Sequence, residues 1–210
     1  MSSNLTRSEI IVGSLHCAVH ASHLITDAAA LYRVGRASSS FLLAVTAREE
    51  LGKHYILLKE ANLVSIDASV SVTAIQSAIR PSKLPHQVKL AAGQSTFQVS
   101  ASLPKETFSE RQVRYAQMRK IDADALHQER MTAQYVDLED DGTWSLPVGL
   151  RNDTAHHLIL TVACEVADPL RWVPDDPEAS ALANSLVPRM PDAEAFLREV
   201  ELLLRPNAGA

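Results

Sequence analysis

Apolar residues recur at helical spacing along most of the chain, and the longest such stretch is Ser40–Glu60, SFLLAVTAREELGKHYILLKE. It holds no proline and a single glycine, so the spacing predicts a long helix. At about 100° per residue, Phe41, Leu42, Val45, Gly52 and Ile56 share one face, and Ala44, Leu51, Tyr55 and Leu58 flank it. Leu43 and Leu57 fall on the far side. A helix that is apolar nearly all round belongs inside a bundle. Arg48 and Glu49 sit among these apolar neighbours, and a buried charge is costly unless paired. Helix spacing favours local pairs at i,i+4: Glu49 with Lys53, and Glu50 with His54. The alternative is that Glu49 or Glu50 reaches a basic residue on another helix.

The flanking signals predict the remaining elements. Thr6 followed by Glu9 has capping-box spacing and opens a helix to about Val34, ended by Gly35. With the central stretch, which starts through Ser38–Ser40, it forms an antiparallel hairpin. Asp67 is expected to cap a third helix reaching Arg80, broken by Pro81 and Pro85. His86–Leu90, HQVKL, restarts a short helical or extended piece. Ala92–Lys105 reads as a surface loop. Ser109 with Gln112 opens a helix to about Arg130 that carries Arg111, Arg114, Arg119 and Lys120. Its basic face is either solvated or tracks a phosphate backbone.

Ala133–Leu138, AQYVDL, a DDG turn and Thr143-Trp144 predict a small hairpin. Asn152 or Asp153 then caps a strongly apolar helix. Its stripe is Asn152, His156, Ile159, Ala163 and Val166, which points His156 inward or toward a helix partner and His157 elsewhere. Asp168-Pro169 is expected to end it. Asp176-Pro177 and Pro191-Asp192 start two short tail helices, the second amphipathic and running to about Arg205. The expected architecture is all-α: a helical bundle built around an antiparallel helix pair, with a hairpin-like excursion near 133–145. Residues 1–170 form the domain, and 171–210 a helical tail packed on it.

Composition narrows the function classes. The chain is 46% apolar but only 5% aromatic, which favours helices over strands. A net charge of −5 argues against a broad, non-specific nucleic-acid binder, though not against a local basic surface. Cys17 and Cys164 lie in predicted helices and suggest neither a disulfide framework nor a CxxC metal site. No apolar run approaches membrane-spanning length, and the N-terminus lacks a signal-peptide core. The expectation is a soluble cytoplasmic protein.

The run Gly149–His157, GLRNDTAHH, carries the sharpest chemical signal. An arginine and a histidine near a helix start make a phosphodiester kit. His156 can take a proton from a ribose 2′-hydroxyl or hand one to the leaving 5′-oxygen. Arg151 can hold the phosphate and its growing charge, and the helix N-terminus adds its positive end. Asn152 can fix the loop or touch the substrate. No metal or other cofactor is needed, because the nucleophile is internal to RNA. Arg80 and His86 repeat the spacing, but with two prolines between them. His16, His20 and His23 share one face of the first helix without HExxH or paired Glu-x-x-His. A metal-dependent hydrolase using His16, His20, Glu50 and His54 is the rival from that side.

With these residues in place the chain resembles the HEPN superfamily, whose active members carry an arginine, a polar residue and a histidine a few positions on, as in RNDTAH at Arg151–His156. Within it the chain is most similar to the AbiV family of phage abortive-infection proteins. That likeness rests on AREELGK at Ala47–Lys53, HQVK at His86–Lys89, and QYVDL with a Trp and Pro downstream at Gln134–Pro147. The resemblance implies a homodimer in which two Arg/His sets meet in one cleft. It implies a metal-independent endoribonuclease or toxin that arrests translation in infected cells. Glu49 or Glu50 would orient Arg151. RNA (tRNA, rRNA or mRNA) is the expected partner, with Lys53, His86, Lys89, Arg111 and Arg114 as candidate contacts. A phage protein trigger or an antitoxin is a further expected partner. The alternative is a catalytically inactive HEPN module that binds RNA or a protein partner.

Overall fold

The computed structural model describes residues 4–65, 68–80, 85–93, 122–131, 133–134, 137–138, 144–145, 152–171, 174–175, 177–185 and 191–205. Helix α1 (Arg7–Arg33) begins at the predicted cap. Thr6 Oγ1 accepts the Glu9 N–H at 3.2 Å, and the Glu9 carboxylate accepts the Thr6 N–H at 2.8 Å, which satisfies donors the first turn leaves open. The helix ends in a Schellman motif. The Arg36 N–H reaches the Leu31 carbonyl, the Gly35 N–H reaches that of Tyr32, and Gly35 takes the left-handed φ of 76° that glycine adopts without strain.

The chain reverses there into α2 (Ala37–Leu63), three residues longer at each end than its apolar pattern predicted. The serines expected at its start lie inside the first turn. Ser40 is buried there, and its hydroxyl donates to the Ala28 carbonyl of α1 at 2.7 Å. Toward the other end of the pair, His54 Nδ1 donates to the Ser14 carbonyl at 3.0 Å. Two buried polar ties thus pin the register of the antiparallel pair, since an unmade hydrogen bond at either point would be costly.

The third helix differs from expectation. Strand β1 (Asn4–Thr6) pairs antiparallel with β2 (Ser69–Ser71), and α3 (Val72–Ile79) is capped by Ser71, whose hydroxyl accepts the Ala74 N–H at 3.2 Å. Asp67, the expected cap, lies outside the described residues. The strand occupies the space a longer helix would need. Next come α4 (Pro85–Gly93), α5 over residues 122–131, and the predicted hairpin, where β3 (Asp137–Leu138) pairs with β4 (Trp144–Ser145). The expected loop 92–105 falls mostly outside the described residues.

Helix α6 (Asn152–Arg171) runs past the point where Asp168-Pro169 was expected to stop it. Pro169 sits in the last turn, so it removes one hydrogen bond without breaking a continuing helix. Helix α7 (Pro177–Asn184) lies on α1, and α8 (Ala193–Leu204), capped by Asp192, lies on α1 and α6. The main core joins Ile25, Phe41, Val45, Leu51, Ile159, Val162, Val166 and Phe196, so α1, α2, α6 and α8 close around one apolar centre. A smaller cluster of Ile10, Ile11, Leu57 and Ile75 seals the end near α3. Among the described residues the fold is all-α apart from two short two-stranded sheets.

Candidate functional site

The two charges inside the apolar pattern of α2 both reach across the bundle. Arg48 meets Glu165 of α6 in a buried two-point contact, Nε to Oε2 at 3.0 Å and Nη2 to Oε1 at 2.7 Å. This geometry matches a planar guanidinium to a carboxylate and lets the pair sit inside the core. Glu49 turns the other way and becomes the centre of a polar cluster. Its Oε1 lies 2.8 Å from Arg130 Nη1 and 2.9 Å from His86 Nδ1. Its Oε2 lies 3.0 Å from the same imidazole nitrogen and 3.5 Å from Lys89 Nζ.

The local pairs favoured by helix spacing therefore do not form for Glu49. Lys53 bonds Glu50 at i,i+3 instead, at 2.5 Å, and His54 faces α1 rather than Glu50. The cause is packing: Glu49 faces α4 and α5, where three nitrogen-bearing side chains meet one carboxylate. A carboxylate only accepts, so His86 Nδ1 carries its proton toward Glu49. The short 2.9 Å approach of Arg130 Nη1 to His86 Nδ1 is two donors gathered on a common acceptor.

Two glycines bring α4 to this point. A Cβ on Gly52 would lie 1.9 Å from the Lys89 carbonyl oxygen, and one on Gly93 would lie 2.3 Å from that of Arg48. The backbones of α2 and α4 touch where these residues lack side chains. That contact sets His86 and Lys89, one turn apart on α4, over Glu49. On α5, His127 stands one turn before Arg130, and its ring lies 6.1 Å from that of His86 with planes 16° apart. Its Nδ1 is buried and has no hydrogen-bond partner among the described residues.

His156 occupies a different level of the molecule. It is half-buried on the first turns of α6, with its ring 5.5 Å from that of Tyr32 at the end of α1. Nine residues, about 13 Å along the helix axis, separate it from Glu165. His157 is exposed, as its side of the stripe predicts. Arg151 lies outside the described residues, as do Arg111 and Arg114. Asn152 is the first residue of α6.

The HEPN_AbiV family model, which describes AbiV, matches residues 9–167. This chain belongs to the AbiV family. No curated protein and no solved structure matches it. Membership makes it a HEPN-domain protein of an abortive-infection family. In this AbiV-family chain the runs Ala47–Lys53, His86–Lys89 and Arg151–His156 all fall within the matched span, whereas α7 and α8 lie beyond it. The first two runs, far apart in sequence, are the ones that meet at Glu49.

Other polar residues of the AbiV-family protein have plainer surroundings. His16, His20 and His23 are exposed on α1, and no group of three metal-binding side chains occurs among the described residues. His54 is buried. Desolvation pushes its pKa down to about 4 against the opposing pull of the Ser14 carbonyl, so it stays neutral. Burial, and then Glu50, push the Cys17 thiol up to about 11, which leaves it unreactive. No helix among the described residues is long and apolar enough to cross a membrane. Sequence reasoning missed Arg130 as a partner of Glu49 and His127 as the ring beside His86. The i,i+3 spacing of His127 and Arg130 on one helix face was the available signal.

Proposed function

We propose that this AbiV-family protein is a metal-independent endoribonuclease that acts in the cytoplasm as an abortive-infection toxin. The observation that carries the reading is the placement of His156: on the first turns of α6, half-exposed, five residues after Arg151. In this reading His156 takes the proton of a ribose 2′-hydroxyl. The 2′-oxygen then attacks the adjacent phosphorus, the bond to the 5′-oxygen breaks, and the leaving oxygen takes up a proton. The products are a 2′,3′-cyclic phosphate and a 5′-hydroxyl. Arg151 neutralises the charge that builds on the non-bridging oxygens, and Asn152 assists at the helix start. Two chains pairing as a homodimer would set two such kits in one cleft. tRNA, rRNA or mRNA is the substrate class, and a phage protein or an antitoxin would set when the toxin acts.

The decisive experiment incubates purified protein with total tRNA and rRNA in EDTA, beside the His156→Ala variant. Cleavage by the parent and loss of both cleavage and toxicity in the variant, with an unchanged helical circular dichroism spectrum, is the expected outcome. Undiminished cleavage by His156→Ala removes the proposal. A parent that never cleaves, yet still arrests translation, is the binding-only HEPN module instead.

A further inference from the structure

We infer that the Glu49 centre is a binding site for a phosphate group, lined by His86, Lys89, His127 and Arg130. It stands apart from the cleavage reading, because it needs a phosphate and no bond breaking.

The charges point to an anion. Among the described residues, Lys89 and Arg130 bring two permanent positive charges against the one carboxylate they contact, Glu49, which leaves a surplus of one. These side chains are largely buried, at 12% exposure for Lys89 and 20% for Arg130. An uncompensated charge at such depth is unfavourable, and a bound anion removes the surplus. Glu50, the neighbouring carboxylate, is engaged by Lys53 and does not supply the compensation.

The hydrogen-bond balance points the same way. Glu49 spends both oxygens on one nitrogen each from Arg130, His86 and Lys89. Arg130 Nε and Nη2 make no hydrogen bond among the described residues. His127 Nδ1 is buried with no hydrogen-bond partner among the described residues. Donors outnumber acceptors, so the centre is short of the oxygen-rich, negatively charged ligand that a phosphate supplies. A metal cation fits poorly: no group of three metal-binding side chains occurs among the described residues, and two fixed cations stand within contact of the Glu49 carboxylate. Solvent reaches the cluster at His86, whose side chain is 40% exposed.

The test follows the histidine ring protons of the whole protein by NMR during addition of inorganic phosphate. Signals are assigned through His86→Asn and His127→Asn. Saturable movement of the His86 and His127 signals is expected, with a Kd on the order of 1 mM. Arg130→Gln should weaken binding at least about tenfold, one step on the affinity scale. Arg130→Lys should retain part of it, and Lys59→Gln, the same charge loss at an exposed site on α2, should leave it intact. Adding a 5′-mononucleotide and a short RNA in place of phosphate identifies the source of the group by which binds tighter. No saturable shift in the parent protein overturns the inference, as does an equal shift in folded Arg130→Gln, or a response to Mg²⁺ or Zn²⁺ but not to phosphate. If Arg130→Gln does not fold, Lys89→Gln takes its place in the comparison. RNA cleavage is not read in this experiment, so either proposal can fail without the other.

Discussion

Two glycines in helix interiors should respond differently to the same substitution. Gly13 lies in α1, where an added Cβ would meet nothing closer than Leu57 Cδ1 at 4.0 Å. Gly13→Ala therefore gains helix propensity and ordinary contact, about 1 kcal/mol of added stability. Gly52 lies in α2, where the new Cβ would sit 1.9 Å from the Lys89 carbonyl oxygen, and contacts under 3.0 Å essentially never occur. The backbone of α4 must withdraw by at least the difference, 1.1 Å, and no side chain can rotate away in its place. Overpacking of this kind costs about 1–3 kcal/mol, which cancels or exceeds the same propensity gain. The two variants should thus differ by about 1–3 kcal/mol, or several degrees in Tm for a chain of this size. Urea titration monitored by circular dichroism at 222 nm reads the difference. Gly52→Ala should also disturb the contact of His86 with Glu49, visible as a shift of the His86 ring protons. A Gly52→Ala protein as stable as Gly13→Ala, with an unmoved His86 signal, would refute the backbone contact between α2 and α4.

Two further perturbations test the interior. His54 has a folded pKa of about 4, below its ordinary value of 6.5, so between those values the unfolded chain binds the extra proton. Its contribution is complete above pH 6.5 and is lost as pH falls toward 4, for a total of about 3 kcal/mol. Urea titrations from pH 7 to pH 4 should show a shallower acid loss in His54→Gln than in the parent, and parallel curves would refute the assignment. Glu165→Leu strands the Arg48 guanidinium in the core and should cost about 3–5 kcal/mol, whereas the double variant Arg48→Met/Glu165→Leu should recover much of it. Equal unfolding midpoints for the single and double variants would show that the pair is not a buried, mutually dependent unit.

The sequence alone determined the elements and their ends wherever the deciding interactions are local. Thr6 and Glu9 cap α1, Gly35 turns the chain, Asp192 starts α8, and the apolar spacing of 40–60 marks a helix buried on most sides. Each rests on contacts within about one helical turn, which depend on residue type and spacing alone. The likeness to AbiV was readable for the same reason, from short runs in order. Tertiary structure decided what those runs do together. Local spacing offered Glu49 a lysine four residues on. Packing instead gave it His86 and Arg130, 37 and 81 residues away, and gave Arg48 a partner 117 residues away. An exposed i,i+4 pair contributes a few tenths of a kcal/mol, so it yields readily once a neighbouring helix presents better partners to a buried charge. Which helix arrives there is set by apolar faces and by two glycines that let backbones touch, and a one-dimensional pattern does not contain that choice. The same reasoning covers α3: β1 took the segment before it, and Ser71 became its cap.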